Sequence, residues 1–397
     1  YLIKTDGNGD SLWTRTFGGA GYDKGNSVQQ TTDGGYIITG YTTIVDGLGD
    51  VYLIKTDGNG DSLWTKTFGG TDYDWGASVQ QTTDGGYIIT GWRGISSGHR
   101  DVYLIKTDGN GDSLWTKTFR GDTIYSYSRA TSVQQTTDGG YIISGTIIKP
   151  GSMFDSYLIK TDGNGDSLWT KTFGGDYYQA ANSVQQTTDG GYIVAGMERR
   201  FNYYNIFLAK TAGNGDSLWT KTFGRQIDTI GHALGSLALS VQQTTDGGYV
   251  IVGRTDSLLN LAGTAFDEAN VYLIKTDGNG DSLCSKTFGG TGWEVGRSVQ
   301  QTTDGGYVIA GRTTSFGNGD YDVYLIKTYL NGCTCATFSY WSATSCNIYV
   351  WNGTTYTASG VYTFTTVNAS GCDSTVTLDL TINNSTSSTD THIACDE

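Results

Sequence analysis

Internal repetition constrains this chain more than any other feature of its sequence. The segment Tyr1–Trp13 reads YLIKTDGNGDSLW and returns, with small changes, starting at Tyr52, Tyr103, Tyr157, Phe207, Tyr272 and, truncated, Tyr324. A second segment, SVQQTTDGGY from Ser27, returns ending at Tyr87, Tyr141, Tyr192, Tyr249 and Tyr307. A period of about 50 residues indicates like units that bury their apolar faces against one another. The chain therefore has to form an array of one supersecondary unit.

Each unit contains four short apolar segments separated by turn signals. The turns are Thr32–Gly35 and Asp57–Asp61, where glycine supplies the positive φ that tight hairpins require. The predicted strands of the first complete unit are Ser27–Thr31, Tyr36–Thr39, Val51–Lys55 and Ser62–Phe68.

Four antiparallel strands in about 50 residues are typical of a β-propeller blade, and we prefer a propeller to a stacked β-solenoid. Six blades close if residues 1–17 join the strands at 298–316 in one blade. The seventh third strand, Val323–Lys327, then either replaces Tyr1–Lys4 or leads outward. Seven blades remain the alternative.

Composition supports an all-β chain and excludes two classes of partner. Glycine accounts for 59 of 397 residues, proline for one, and aromatic residues for 13% of the chain. A net charge of −14 argues against a nucleic-acid binder, which needs basic surface to neutralise phosphates. No run of 18 apolar residues predicts a membrane-spanning helix.

The motifs of one unit also resemble a known group of repeats. Thr32–Gly40 reads TDGGYIITG, Tyr52–Asp57 reads YLIKTD and Leu63–Gly70 reads LWTKTFGG. In this order they resemble propeller repeats of secreted proteins from Bacteroidetes-type bacteria. The resemblance covers residues 1–328 and implies an architecture and export from the cell, but no ligand.

The composition changes after Thr328. Residues 333–397 contain five of the six cysteines and no lysine or arginine. Alternation in Val361–Val367 and Val376–Ile382 predicts two strands. Cys346 and Cys372 flank a hairpin-like segment and are predicted to form a disulfide.

This region resembles the Ig-like repeats of large bacterial surface adhesins exported by type IX secretion. We predict a linker at 329–345, an Ig-like module at 346–390 and the start of a truncated next repeat at 391–397. The cysteines indicate an oxidising, extracellular setting at the bacterial cell surface.

Three recurring features could carry chemistry, and each has a structural alternative. The Gly-Asp-Ser-Leu block has no histidine at repeat spacing to activate its serine. The same block resembles a short O-glycosylation signal, which makes the following serines candidate sugar sites: Ser11, Ser62, Ser113, Ser167, Ser217 and Ser282. The acids of Asp57–Asp61 lack a closing calcium ligand, so we predict a polar turn and neither metal nor cofactor. Cys284, which replaces the tryptophan of other copies, is interpreted as a small buried hydrophobe.

The connections between strands two and three, and between strands four and one, differ from copy to copy. In a propeller these connections share one face, and variable loops above a fixed scaffold are typical of a binding surface. Its aromatic and charged residues suit either sugars or proteins. The candidate ligand-binding residues are Tyr22, Asp23, Tyr73, Asp74, Trp75, Trp92, Arg93, Arg199, Arg200, Tyr203, Tyr204, Trp293 and Glu294.

These observations predict a non-catalytic binding or adhesion module whose partner is a cell-surface glycan or protein. A structural module that assembles with copies of itself is the alternative. A polysaccharide-acting enzyme is a third hypothesis, which we disfavour because such a site needs a carboxylate pair that breaks the repeat. The sequence offers only scattered acids such as Glu294.

Overall fold

A computed structural model describes residues 1–43, 48–95, 99–120, 127–148, 154–174, 177–200, 203–224, 235–256, 268–317, 319–328, 338–367 and 373–383. The chain divides into two compact units, Tyr1–Thr328 and Tyr329–Glu397.

The first unit consists of antiparallel sheets that follow one another along the chain. A two-stranded sheet contains β1 (Leu2–Thr5) and β2 (Ser11–Arg15). The first two four-stranded sheets contain β3 (Asp23–Gln30), β4 (Tyr36–Thr43), β5 (Gly49–Thr56) and β6 (Ser62–Phe68), then β7 (Asp74–Gln81), β8 (Tyr87–Ile95), β9 (His99–Thr107) and β10 (Ser113–Phe119).

The same arrangement continues through the rest of this unit. The next two sheets contain β11 (Ser128–Gln135), β12 (Tyr141–Ile148), β13 (Phe154–Thr161) and β14 (Ser167–Phe173), then β15 (Tyr178–Gln186), β16 (Tyr192–Arg200), β17 (Tyr203–Thr211) and β18 (Ser217–Phe223). The last two contain β19 (Ser236–Gln243), β20 (Tyr249–Asp256), β21 (Ala269–Thr276) and β22 (Ser282–Phe288), then β23 (Val295–Gln301), β24 (Tyr307–Thr313) and β25 (Asp322–Thr328).

The prediction of an all-β chain built from blade-like four-stranded sheets is confirmed. The described residues contain no helix, and hence none that could span a membrane. Apolar side chains of the second and third strands form the core between neighbouring sheets, as Ile88 and Leu104 do with Val133 and Ile143. The sheets between the first and the last are therefore covered by a neighbour on each face.

The hairpin turns have the backbone geometry that their glycines predicted. Gly34 has φ +83° and Gly60 has φ +82°, a region that other residues rarely adopt. In the first turn, Asp33 accepts the Gly35 N–H at 3.0 Å and pairs with Lys55 Nζ. Lys55 is 4% exposed, so the turn carboxylate neutralises a buried ammonium group.

Six successive sheets, from β3–β6 to β23–β25, have five interfaces, which we call the closed junctions. The same hydrogen bonds join the two sheets in each closed junction. A serine Oγ of one first strand accepts a valine N–H of the next, as Ser27 does from Val79 at 3.3 Å. A glutamine Oε1 accepts a glutamine N–H in the same way, as Gln29 does from Gln81 at 2.6 Å. These two bonds recur in all five closed junctions.

Fourth-strand tryptophans pack against the next sheet. The Trp64 ring lies 5.9 Å from that of Tyr87 in an edge contact, and Trp115, Trp169 and Trp219 repeat it. These tryptophans are packing residues between sheets, as their repetition predicted. Trp13 of β2 makes the equivalent contact with Tyr36, so the β1–β2 pair packs on β3–β6 as a third and fourth strand would.

The first strands of six sheets surround one central cavity of about 460 Å³. Its lining includes Asn26, Ser78, Ser132, Ser183, Ser240 and Arg297, which come from β3, β7, β11, β15, β19 and β23. Residues 1–17 do not pair with 298–316. β25 pairs with β24 and so replaces Tyr1–Lys4 there, one of the two predicted alternatives, and β1–β2 forms a sheet of its own.

The contact between β23–β25 and β3–β6, which we call the seam, lacks the bonds of the closed junctions. Within the described residues, no bond joins Val28 N–H to Ser298 or Gln30 N–H to Gln300. Val28 is 52% exposed, whereas its five equivalents are 5–6% exposed. Val323 and Leu325 are also exposed, although their counterparts Val51 and Leu53 are buried. At the seam, apolar side chains are therefore exposed, and the N–H groups of Val28 and Gln30 lack the bonds that their equivalents form.

The second unit begins with β26 (Phe338–Cys346), which pairs in parallel with β30 (Asp373–Asn383). β29 (Gly360–Val367) pairs with β30 on its other side, and β27 (Tyr349–Trp351) forms a hairpin with β28 (Thr354–Tyr356). The predicted linker at 329–345 is wrong for residues 338–345, which form most of β26. Alternating Leu378, Leu380 and Ile382 supply the small core.

Two cysteines of the described residues are disulfide-bonded. One is Cys346; its predicted partner Cys372 lies outside the described residues. The other is Cys284, which is half-buried. Its interpretation as a free, small buried hydrophobe is wrong, because its sulfur is part of a covalent bond.

Candidate functional site

An apolar groove of about 560 Å³ lies on the face that carries the variable connections, and we call it the aromatic groove. Four predicted residues line it, namely Tyr22, Tyr73, Trp75 and Trp92. The lining residues that sequence reasoning missed include Tyr41, Leu48, Ile95, His99 and Arg100.

The floor of the aromatic groove is a stack of planar side chains. The rings of Tyr41 and Trp75 lie 4.3 Å apart and nearly parallel, and the Trp92 ring follows 6.0 Å from Trp75. The Arg100 guanidinium covers Trp92 at 3.9 Å and donates to the Tyr127 hydroxyl at 2.6 Å. The Trp75 ring is held between those of Tyr41 and Trp92. Trp92 is held between Trp75 and Arg100, so the stack is formed before any ligand binds.

Strand register builds this stack. Trp75 and Trp92 are cross-strand partners in β7 and β8, and cross-strand side chains on one face contact each other. Tyr41 belongs to β4 in the preceding sheet and reaches Trp75 across a closed junction. Strand pairing within one sheet brings Trp75 and Trp92 together. The contact of Tyr41 with Trp75 depends on the packing of two sheets, which the sequence does not show.

Trp92 is 8% exposed, which corrects its assignment as an exposed contact residue. It packs between Trp75 and Arg100, so it supports the groove rather than facing solvent. Tyr22 is 79% exposed and Tyr73 is 41% exposed, so these two rings offer most of the accessible aromatic surface.

The predicted acidic contacts are loop-holding groups. Asp74 is 1% exposed and accepts the Gly70 N–H at 2.9 Å and the Gly94 N–H at 3.2 Å. Buried Glu294 accepts the Gly290 N–H at 3.0 Å and the Thr313 hydroxyl at 2.8 Å. Asp23 accepts the Gly19 N–H at 2.8 Å. Their assignment as exposed ligand contacts is wrong for Asp74 and Glu294, because backbone donors of the turns already occupy them.

The remaining candidates lie elsewhere on the same unit. Arg93 lies 4.0 Å from Asp74, on β8, and Trp293 stacks with Arg254 at 4.4 Å. Arg199 stacks with Tyr204 at 5.6 Å at the end of the β16–β17 hairpin, where Arg200 pairs with Glu198. Tyr203 pairs with Arg200 in register, and its side chain lies outside the described residues. The structure does not bring this group into the aromatic groove.

A group of four cations, which we call the cation cluster, lies beside the central cavity: Lys24, Arg254, Arg297 and Arg312. Lys24 and Arg297 line the cavity directly. Burial lowers the pKa of Arg297, and the charges of Arg312 and Arg254 lower it further. Burial also lowers the pKa of Lys24, with Arg297 and Arg312 contributing. Arg297 is thus affected by Arg312 and Arg254, and Lys24 by Arg297 and Arg312. Sequence reasoning missed the cluster because its members come from the first repeat and the last two.

One closed junction brings two carboxylates together. A Cβ added to Gly69 would clash with both Asp50 Oδ1 and Asp74 Oδ2, so the two groups face the same backbone atom. Burial raises the pKa of Asp74 to about 6, and the charge of Asp50 adds to the effect. The equivalent sequence pairs in the other closed junctions are Asp101 with Ser128, Asp155 with Gln179, Asn205 with Ser236 and Asn270 with Glu294.

The repeated turn and the serines after it are placed as follows. Asp57 Oδ1 accepts the N–H groups of Asn59 and Asp61 at 2.9 Å, and Asp61 pairs with Arg15. The described residues contain no cluster of three or more His, Cys, Asp or Glu suited to a metal ion. All six candidate glycosylation serines, from Ser11 to Ser282, are exposed.

Comparisons with known proteins give a fold likeness only. No family model and no curated protein matches the chain. A Dyadobacter fermentans protein of unknown function is 13% identical, with a TM-score of 0.45, over 76% of this chain and 93% of its own. A Bacteroides caccae protein of unknown function is also 13% identical, with a TM-score of 0.42, over 71% and 87%.

An endo-arabinase from Bacteroides thetaiotaomicron is 10% identical, with a TM-score of 0.38, over 64% of this chain and 93% of its own. The prediction that the chain is not an enzyme is therefore corrected, because the solved structures that it resembles include an enzyme.

Proposed function

We propose that the aromatic groove binds a saccharide at the surface of a bacterial cell. The observation that carries the proposal is the stack of Tyr41, Trp75 and Trp92 below the exposed rings of Tyr22 and Tyr73. Aromatic faces bind the apolar faces of sugar rings, and polar groups at the rim fix orientation. Asp72, His99 and Arg100 supply those polar groups.

The size of the groove favours a saccharide over a folded protein partner. Its volume of about 560 Å³ falls in the usual range of small-ligand sites, about 300–1,000 Å³. A stable protein interface needs about 800 Å² from each partner, which is usually a broad surface rather than a groove.

Two variants test this proposal against a matched control. Tyr22→Ala and Tyr73→Ala should each weaken binding of a glycan selected on an array by about tenfold or more. Phe316→Ala removes another exposed aromatic ring, 47% exposed and outside the groove, and should leave binding unchanged. Equal binding by all three variants would refute the proposal. Glycan-independent self-association in sedimentation would favour the assembly alternative.

For the architecture we propose a β-propeller of six blades, supported by the six first strands around one cavity. We further propose that residues 338–383 form an Ig-like repeat of a type IX-exported adhesin. The parallel β26–β30 pair and the disulfide-bonded Cys346 support it. Electron-microscopy class averages viewed along the cavity would count the blades directly, and seven would refute the first proposal.

A further inference from the structure

We propose that the cation cluster binds the oxyanion of an acidic saccharide, a carboxylate or a sulfate group, whose uncharged part occupies the aromatic groove. This inference rests on the proposed saccharide function and names the class of sugar.

The cations of the cluster form no ion pair within the described residues, although the charge of Arg254 lowers the pKa of nearby Asp256. The chain as a whole carries a net charge of −14. The one carboxylate in the cavity lining, Asp23, accepts the Gly19 N–H. Like charges near one another repel, and water screens this repulsion in part because Lys24 and Arg297 are exposed. An anionic ligand would relieve that repulsion.

Aromatic rings hold three of these cations in place from one side. Arg254 lies 4.4 Å from the Trp293 ring, Arg312 lies 4.3 Å from Tyr321, and Lys24 Nζ lies 5.2 Å from Trp75. Stacking covers the flat side of a guanidinium and leaves its N–H edge to bind an oxyanion with two parallel bonds.

One donor of the cluster is already desolvated without an acceptor. Arg312 Nε is buried and has no hydrogen-bond partner. A buried donor without a partner has lost its hydration without replacement, and an incoming oxyanion would supply the missing acceptor.

The cluster and the aromatic groove share a wall. Lys24 pairs in register with Tyr41 and stacks over Trp75, and both aromatic residues belong to the groove floor. Lys24 lies on β3, whereas Arg297 and Arg312 lie on β23 and β24, across the seam. Lys24 therefore belongs to the cluster and also contacts the groove floor, so one elongated ligand can contact the groove and the cluster together.

The test is calorimetric titration of the full chain with three probes. These are a galacturonate oligomer, a galactan oligomer of equal length, and inorganic sulfate. We expect the galacturonate to bind about tenfold more tightly than the galactan, with a preference that shrinks as sodium chloride is added. Arg297→Gln and Arg312→Gln should abolish that preference and keep galactan binding. Arg199→Gln removes an exposed arginine outside the cluster and should preserve the preference.

The outcomes separate this inference from the proposed function. Equal binding of both oligomers would overturn the acidic class and leave the saccharide proposal standing. Binding of neither oligomer would overturn both. Sulfate that binds as tightly as the galacturonate would overturn the saccharide-borne source, because the cluster would then be a site for a free anion.

Discussion

The closed junction between β7–β10 and β11–β14 and the seam between β23–β25 and β3–β6 share the motif Ser-Val-Gln-Gln in their first strands. In the closed junction, Val133 N–H donates to Ser78 at 3.3 Å and Gln135 N–H donates to Gln80 at 2.6 Å. At the seam, Val28 N–H and Gln30 N–H have no such bonds within the described residues. The shared motif is therefore not sufficient for these bonds, which form only where two sheets pack closely enough.

The same comparison explains where charge is tolerated. Lys106 in a closed junction is 4% exposed beside Asp84, whereas Lys327 at the seam is 30% exposed beside Asp304. Within the described residues, the cations near the seam form no ion pair, whereas the closed junction between β3–β6 and β7–β10 contains the carboxylates of Asp50 and Asp74. Repeats that are alike in sequence thus provide different electrostatic environments.

The largest predicted effect is a pH dependence of the free energy of unfolding that arises at Asp74, in the closed junction that contains Asp50. Because the pKa of Asp74 is raised from 3.8 to about 6, the folded chain binds more protons there than the unfolded chain. Its contribution to stability is full below pH 4 and is lost as pH rises through 6. We expect the free energy of unfolding to fall by about 3 kcal/mol on this account between pH 4 and 7.

The measurement is denaturant unfolding across that range, with Asp74→Asn as the variant. The variant should lose this pH dependence, and the difference between the two curves isolates the group. If the free energy of unfolding varied with pH in the same way in the wild type and in Asp74→Asn, the raised pKa of Asp74 would be contradicted. Asp57→Asn, at an exposed turn, serves as the control.

The second prediction compares the turn carboxylates. Asp84→Asn leaves buried Lys106 without an anionic partner and should cost about 2 kcal/mol, less than for a fully buried pair because Asp84 is exposed. Asp304→Asn should change stability far less, because Lys327 reaches water. Chemical denaturation of both variants gives the values. Equal losses would show that the seam is as closed as the other junctions.

The smallest prediction concerns a matched pair of valines. Val133→Ala removes methyl groups from a closed junction and should cost about 1.5 kcal/mol. Val28→Ala removes them from an exposed position and should stay within about 0.5 kcal/mol. Thermal melts of the two variants suffice to compare them, and a larger loss at Val28 would contradict the open seam.

The sequence predicted the parts of the molecule that depend on local pattern. Period-two alternation and the glycine turns predicted the strands, and the repeated tryptophans predicted their packing between sheets. Tyr22, Tyr73 and Trp75 were found because they interrupt the repeat. The order of sheets around the cavity was needed to join Tyr41 to Trp75, and to gather Arg254, Arg297 and Arg312 with Lys24.

The acidic residues show a different reason for failure. Asp74 and Glu294 also interrupt the repeat, but they do so by holding turns whose backbone N–H groups point inward. A residue can differ between copies because it stabilises the conformation of a loop that itself differs between copies. Only the hydrogen-bond partners distinguish that role from ligand binding.

Amide hydrogen exchange of the first strands tests the open seam most directly. The six equivalent valines are Val28, Val79, Val133, Val184, Val241 and Val299. The account predicts that the N–H of Val28, which has no serine acceptor in the described residues, exchanges at least tenfold faster than the other five. Equal protection of all six amides would contradict it, because the seam would then be bonded like every closed junction.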